Sequence, residues 1–479
     1  MISGNDTHPG LFRVMGRFAF EQHPILTGAC AYLLAWAVMN VFVVSGLQRE
    51  AVRFDGPGGK TCLGTVWTPR APKAVILIGH GVTANQGAMA TVANAFVRNG
   101  YAAVTLDFWG HGRSREKFDW SSNAAQVNAW CDWARDRFKG LPLAYLGHSM
   151  GGMAGDLAFR NTAKVQAFVS MGMLPNQTPA CKTLLAFGRF EEIFSADQAR
   201  RMAQDKMDVL ISPFSEHCLE AGDPVLLQGI IAWVNKTLGF GNQATFPWVR
   251  WGLMLLAAAI GCMAALLLAE QAAMLLRQPA QPPARERQSP DWPPNKPQCS
   301  CASPLNPFRI AAWALRCKGD ATPPRSGSFL SAAIRGIAFS AVLIVLLSWI
   351  LTTNIYTCSL NHPQRCLMWL ILIPPMVFLF SMTARALERI PLSTTFQRFA
   401  VGALTRAVPL LAMCLLLELL GPGIAFIGMA FGILALVFVF ISAIYALATR
   451  GAGDYRSGAI ASGITLAWIT AFWFPLPWA

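Results

Sequence analysis

The sequence predicts two structural regimes in one chain: an α/β region on a mostly parallel sheet, and an all-α region of membrane-spanning helices. Three observations lead there. Between residues 47 and 245, short runs of consecutive apolar residues alternate with helical patterns, as expected for strands buried on both faces and joined by crossover helices. From Pro247 onward the apolar runs reach about 20 residues, the length that crosses a bilayer. Only 13% of the 479 residues are charged and 54% are hydrophobic, whereas a soluble domain carries about a quarter charged residues.

The first apolar span runs from Ile25 to Gly46, after Arg13 and Arg17. It is longer than a signal-peptide core and reads as an uncleaved anchor. A cleaved signal is the alternative, because Ala29 and Ala31 are small residues early in it. Ala51–Asp55 and Thr61–Trp67 alternate around Gly56-Pro57-Gly58-Gly59, a hairpin pattern. Ala74–Ile78 and Ala102–Leu106 are buried-strand runs, and Gly87–Arg98 has helical spacing. Ser121–Phe138 reads as a helix capped by Ser121 or Ser122. A strand enters Ser149, a helix runs on to Arg160, and Val165–Ser170 and Thr183–Phe187 are further strands. Asp223–Leu238 closes the region as an amphipathic helix with Asp223 as cap.

Six more spans are expected near 248–269, 333–352, 367–383, 402–420, 424–448 and 457–477, which makes seven with the anchor. Pro374-Pro375 should kink the fourth and Gly421-Pro422-Gly423 should turn the chain between the fifth and sixth. The net charge of +14 is concentrated in loops: nine Lys or Arg and three acids lie between Arg277 and Arg335. The basic segments 277–332, 384–400 and 450–456 fall on one side, with Arg13 and Arg17, which under the positive-inside rule puts the α/β region outside. No zinc-finger spacing or basic helix with stacking aromatics accompanies the charge, so no nucleic-acid partner is expected. The twelve cysteines form no compact framework, and Cys299-x-Cys301 with Cys317 lacks a paired C-x-x-C, so neither metal nor cofactor is expected. Arg406 and Glu418 should snorkel to an interface, and Cys358 and Cys366 share an outside loop where a disulfide would be permitted. The expected division is a tail over 1–24, an anchor over 25–46, an α/β domain over 47–245 and a helical membrane domain over 246–479.

The chemistry centres on Ala144-Tyr-Leu-Gly147-His148-Ser149-Met150-Gly151-Gly152. An apolar strand runs into G-x-S-x-G and a helix follows, which describes a nucleophile elbow of the α/β-hydrolase type. Gly147 and Gly151 are required where a side chain would clash with the returning turn. A serine hydroxyl needs a base, and this fold orders its triad Ser, Asp or Glu, then His. Only His217 and His362 follow Ser149, and His362 lies between two spans, so His217 is the expected base. The acid should follow the strand ending at Phe187, where Glu191 is the first choice and Glu192 the alternative. His80-Gly81-Val82 follows the first buried strand; the N–H groups of Val82 and Met150 would form the oxyanion hole.

Asp107-Phe-Trp-Gly-His111-Gly-Arg-Ser114 resembles the D-x-x-G-H-G-x-S stretch of α/β-hydrolases similar to monoacylglycerol lipases and serine aminopeptidases. With His80-Gly81, Gly147 to Gly151, Glu191 and His217, the resemblance covers roughly residues 50 to 240. It implies a serine hydrolase acting on an ester, thioester or amide, with a small-molecule or lipid substrate, and leaves Asp107 and His111 supporting roles. Glu stands where that family more often has Asp. About a dozen residues separate Ser170 from Thr183, where many relatives insert a helical lid. No large lid is therefore expected, and the membrane region or the bilayer is left to roof the site. An acyltransferase with the same triad is the alternative reading, and a non-catalytic transporter or receptor a second.

Overall fold

The computed structural model describes residues 23–42, 45–204, 206–277, 328–351, 363–390, 392, 394–418 and 424–473. Arg13, Arg17, Cys299, Cys301, Cys317, Cys358, His362, Gly421 to Gly423 and the side chain of Glu418 lie outside the described residues.

The sheet has eight strands: β1 Gln48–Asp55, β2 Thr61–Thr68, β3 Ala74–Gly79, β4 Tyr101–Asp107, β5 Leu143–His148, β6 Ala167–Met171, β7 Lys182–Phe190 and β8 Asp208–Glu216. Their spatial order is β1-β2-β4-β3-β5-β6-β7-β8. The pairs β1/β2 and β2/β4 are antiparallel and the rest are parallel. This is the α/β-hydrolase fold. Every residue of β3, β4, β5 and β6 is buried. Alternate side chains serve the two faces: Val75 and Leu77 pack with Trp130 and Phe159, while Ile76 and Ile78 join a core that runs through Phe96 and Ile230 into the apolar helices.

Helices α2 (Ala90–Arg98) and α6 (Pro224–Thr237) lie on the second of these faces, α3 (Asn123–Arg137) and α4 (Met150–Phe159) on the first; α1 (Pro24–Ala37) precedes the sheet, and α5 (Ala196–Ala203) sits between β7 and β8. Two details differ from the sequence reading. The turn before α3 is capped by Asp119, whose carboxylate accepts the Ser121 N–H at 3.0 Å; Ser122 makes no side-chain cap. Helix α5 and strand β8 were not anticipated. β8 is an edge strand, half exposed and interrupted by Pro213, so it lacks the apolar run that marks its neighbours. Asp223 caps α6 as expected, accepting from Val225 and Leu226 N–H groups.

Among the described residues, six further helices follow: α7 Trp248–Leu275, α8 Phe329–Leu351, α9 Pro363–Leu387, α10 Thr395–Glu418, α11 Ile424–Ala452 and α12 Tyr455–Trp473. Among the described residues, six helices are long and apolar enough to cross a membrane: α1 with its π-helical extension to Phe42, and α7 to α11. The expected seventh span, α12, is a helix that is not among these six, and residues 474–477 of that expected span lie outside the described residues. The helix is buried almost throughout, and Gly458 and Gly463 sit where a Cβ would strike Tyr445 O at 2.7 Å and the Val377 backbone at 2.6 Å. Small residues let helix backbones approach this closely. Helix α9 is continuous through Pro374 and Pro375.

The chain alternates direction through the bundle. At the end facing the sheet, Arg250 donates to Phe42 O and Arg365 donates to Gly110 O at 3.0 Å. Cys218 Sγ approaches Met429 Sδ to 3.4 Å at the same end. At the opposite end Arg450 pairs with buried Glu270, and Glu388 pairs with Arg398 at 3.3 Å. Arg406, expected to reach an interface, has partners from neighbouring helices. Its guanidinium lies over the rings of Phe380 and Tyr445 and donates to Ser442 Oγ at 3.0 Å, because neighbouring helices supply those partners within side-chain reach.

Candidate active site

The elbow forms where β5 meets α4. Ser149 has φ 51° and ψ −114°, a strained backbone for a residue with a Cβ. Its N–H donates to Met171 O at 2.8 Å, which ties the turn to the end of β6. A Cβ on Gly147 would lie 2.2 Å from the Gly151 carbonyl, and one on Gly151 would lie 2.7 Å from Gly79 O. The G-x-S-x-G spacing is therefore steric: the helix start folds back over the strand end, and only glycine fits on either side of the serine.

Val82 lies on the loop leaving β3, beside Thr83 in the left-handed region at φ 64°. His80 holds this loop. Its Nε2 accepts the Phe108 N–H at 3.1 Å, so Nδ1 carries the proton and donates to Gly81 O at 2.7 Å. Complete burial pushes its pKa down to about 4, which keeps the ring neutral in that tautomer. Gly81 packs against the serine: a Cβ there would lie 3.3 Å from Ser149 Cβ. Met150 is the first residue of α4, so its N–H has no partner within the helix. Asp107 is fully buried and accepts from the Gln86 N–H at 2.9 Å and the Arg113 N–H at 3.1 Å. His111 bonds Trp109 O at 3.1 Å through Nδ1. Asp107 ends β4 and His111 lies in the loop that follows it.

The carboxylates come from the far end of the sheet, where a register shift between Gly188 and Phe190 turns β7 towards β8. Glu191 Oε2 lies 3.0 Å from His217 Nδ1, and both side chains are almost fully buried. Glu192 Oε2 instead accepts the backbone N–H of His217 at 3.1 Å. The two sequence candidates for the acid thus both reach His217, one at the ring and one at the main chain. Burial pushes the Glu192 carboxyl up to about 7. Ser149 and His217 line one cavity of 990 Å³ together with Gly81, Val82 and His148.

Two contributors were not singled out from the sequence. Glu220 is fully buried; its Oε1 accepts the Gly188 N–H at 2.7 Å, and burial with the nearby Glu191 charge pushes its carboxyl well above the usual range. His148, next to the serine, has Nε2 at 2.9 Å from His217 O and thereby holds the main chain of the histidine loop. Burial, followed by the neighbouring His217, lowers its pKa to about 3, so it is a neutral donor. No sequence signal marks Glu220, because the loop that brings it here is defined only by the fold. Ligand atoms of His148, His217 and Glu220 lie within 4.8 Å of one another, a spacing that a metal ion could bridge. The His148 nitrogen that faces the others is the N–H donor to His217 O, so it offers no lone pair there.

Sheet order, elbow and ordered loops define a domain of α/β-hydrolase class. Residues 70–194 match the family model described as serine aminopeptidase, S33. A monoacylglycerol lipase of Mycolicibacterium smegmatis is 36% identical over 109 residues, which is 22% of this chain and 39% of that protein. Among solved structures, an α/β serine hydrolase without lid from Xanthomonas campestris is similar at 17% identity and TM-score 0.35, over 40% of this chain and 94% of that one. A cold-adapted esterase from an Arctic intertidal metagenomic library is similar at 18% identity and TM-score 0.35, over 40% and 95%.

The chain between β6 and β7, residues 172–181, contains no helix. The cavity that Ser149 lines is walled instead by Trp248, Trp251 and Met254 of α7, by Met429 and Ile433 of α11, and by Leu466 and Ile469 of α12.

Proposed function

We propose that this chain is a membrane-embedded serine hydrolase of esterase or lipase type. The observation that carries the reading is the 3.0 Å contact between Glu191 and His217 Nδ1, on the wall of a cavity that Ser149 and His217 share. Ser149 Oγ attacks the substrate carbonyl while His217 Nε2 takes its proton. Glu191 holds the ring in the Nδ1–H tautomer and stabilises the imidazolium that forms. The Met150 and Val82 N–H groups receive the oxyanion, each worth about 2.7–4 kcal/mol in the transition state. His217 then returns the proton to the leaving group. Water, deprotonated by the same ring, cleaves the acyl-enzyme, releasing the acid and the free serine.

An ester is favoured as the scissile group, because the matched relative is named a monoacylglycerol lipase. Location in a membrane is supported by the six long apolar helices. Arg277, Arg450 and Arg456 lie at the end of the bundle opposite the sheet, and under the positive-inside rule the orientation proposed here puts the hydrolase region outside, in a bacterial inner membrane. In this reading an anchor over 25–46 and a helical domain over 246–479 flank a hydrolase domain over 47–245, after a tail over 1–24.

The test is labelling of the full chain, in detergent or nanodiscs, with a fluorophosphonate, together with ester turnover. Wild type should be labelled on Ser149, and Ser149→Ala should lose label and at least 10³-fold of its turnover, roughly the share of catalysis held by a nucleophile. Undiminished turnover in the alanine variant would reject the mechanism.

A further inference from the structure

The cavity above Ser149 is polar at one end only. Thr83, Thr91, His148, Ser149, Ser215, His217 and Asp223, all from the α/β region, are its polar lining at the end by the sheet, while the lining side chains from α7, α11 and α12 are apolar apart from Thr470. Its 990 Å³ is at the upper end of the roughly 300–1,000 Å³ typical of small-ligand sites. A ligand that matches this lining carries its reacting group at one end and an unbroken apolar tail.

The depth follows from the helices. Met429 lies level with the histidine loop, in contact with Cys218 at 3.4 Å. Val437, two turns further along α11, is the deepest residue of that helix on the wall. At about 1.5 Å of rise per residue the interval spans roughly 12 Å. On α7 the lining runs from Trp248 to Leu255, a similar depth. An extended alkyl chain advances about 1.25 Å per carbon, from bonds of about 1.5 Å at angles near 111°, so this depth accommodates about ten carbons.

We infer that this cavity is an acyl-chain tunnel, and that α7, α11 and α12 set the length of acyl group delivered to Ser149. The inference rests on the serine-hydrolase reading and adds the substrate class: esters of medium to long straight-chain acids, with the tail inserted into the helical bundle. Each methylene that enters should raise kcat/KM about fourfold, until the chain meets the end wall near Val437.

The test is kcat/KM for p-nitrophenyl esters from C2 to C16 with the full chain in nanodiscs. Wild type should climb to about C10–C12 and then level or fall. Val437→Trp fills the deep end and should lower the C12-to-C4 ratio at least tenfold relative to wild type. Ile433→Ala widens the shaft and should move the optimum to longer chains, which keeps the test decisive should the tryptophan variant fail to fold. Ratios that match wild type in both variants overturn the inference while leaving the hydrolase reading intact. Absence of all ester turnover and of fluorophosphonate labelling would remove that reading instead. The tunnel is then tested by a fatty acid with a terminal diazirine. Crosslinks within residues 248–255 and 429–437 on cavity-lining side chains support it. Crosslinks confined to outward-facing residues such as Leu256 and Leu436, which are 56% and 71% exposed, overturn it.

Discussion

Glu191 and Glu192 both reach His217, but at different atoms, and the proposed mechanism assigns them unequal weight. Glu191 faces the ring at 3.0 Å; Glu192 faces the main-chain N–H at 3.1 Å. During attack the ring becomes an imidazolium. With charge centres about 4 Å apart and an effective dielectric of about 20, a carboxylate stabilises that cation by about 4 kcal/mol. Glu191→Gln keeps an acceptor for Nδ1–H and removes the charge, so kcat should fall by about 10³. Glu192→Gln exchanges one acceptor for another at a backbone donor, a difference of about 0.5–1.5 kcal/mol or roughly tenfold at most. The Glu192 carboxyl, pushed up to about 7 by burial, is already partly protonated at neutral pH, so its amide is close to the native state. The assay is kcat on a C4 ester at pH 7.5, with the unfolding temperature of each variant measured alongside. A larger loss in Glu192→Gln than in Glu191→Gln, with both variants folded, would refute the assignment of the acid. A Glu191→Gln variant within tenfold of wild type would refute the electrostatic part of the argument.

Two further predictions concern stability. The folded-state pKa of Glu192 is raised from 4.5 to about 7, so the unfolded chain loses this proton first. Its contribution to folding is fully present below about 4.5 and is lost as pH rises through about 7. The unfolding temperature of Glu192→Gln relative to wild type should therefore rise steadily from pH 4.5 to 8; a flat difference across that range would count against the buried, protonated carboxyl. Arg365 is 1% exposed and donates to Ala471 O at 3.0 Å, Phe472 O at 3.4 Å and Gly110 O at 3.0 Å. Arg365→Met should cost at least about 1.5–3 kcal/mol, the range for one hydrogen bond to a charged group. Thermal unfolding in detergent measures it, and an unchanged midpoint would mean that the carbonyls find other donors.

What the sequence made legible was set by how far each feature depends on its own neighbours in the chain. Strands β3 to β6 are buried on both faces, so their apolar runs are self-announcing. Edge strand β8 is half exposed and broken by Pro213, and its pattern merges with loop. The elbow glycines follow from local steric exclusion, within five residues of chain. Ser149, His217 and the Glu191/Glu192 pair could be proposed because the fold fixes their order along the chain, whereas the choice of atom each glutamate faces depends on the β7 bulge. Glu220 and His148 were out of reach because their partners, Gly188 N and His217 O, are distant in sequence. The partners of Arg406 were out of reach for the same reason: position within a span does not say that Ser442, Phe380 and Tyr445 converge on it from other helices.

The absence of a helix between β6 and β7 acquires a physical meaning from the roof that replaces it. A lid inserted in the α/β region would carry its own apolar underside and could open without disturbing the sheet. Here the roof consists of α7, α11 and α12, and the core that stabilises those helices is continuous with the core beneath the sheet through α2 and α6. Moving the roof away as one piece would expose that shared core. Access to Ser149 is then cheaper through displacement of side chains along the wall, such as Met429 against Cys218, than through a hinged opening. Arg365 strengthens the same constraint, because one guanidinium binds the end of α12 and the loop at Gly110 together. A roof tied to the sheet in this way suits the ligand proposed above, a narrow, flexible chain that enters end-on.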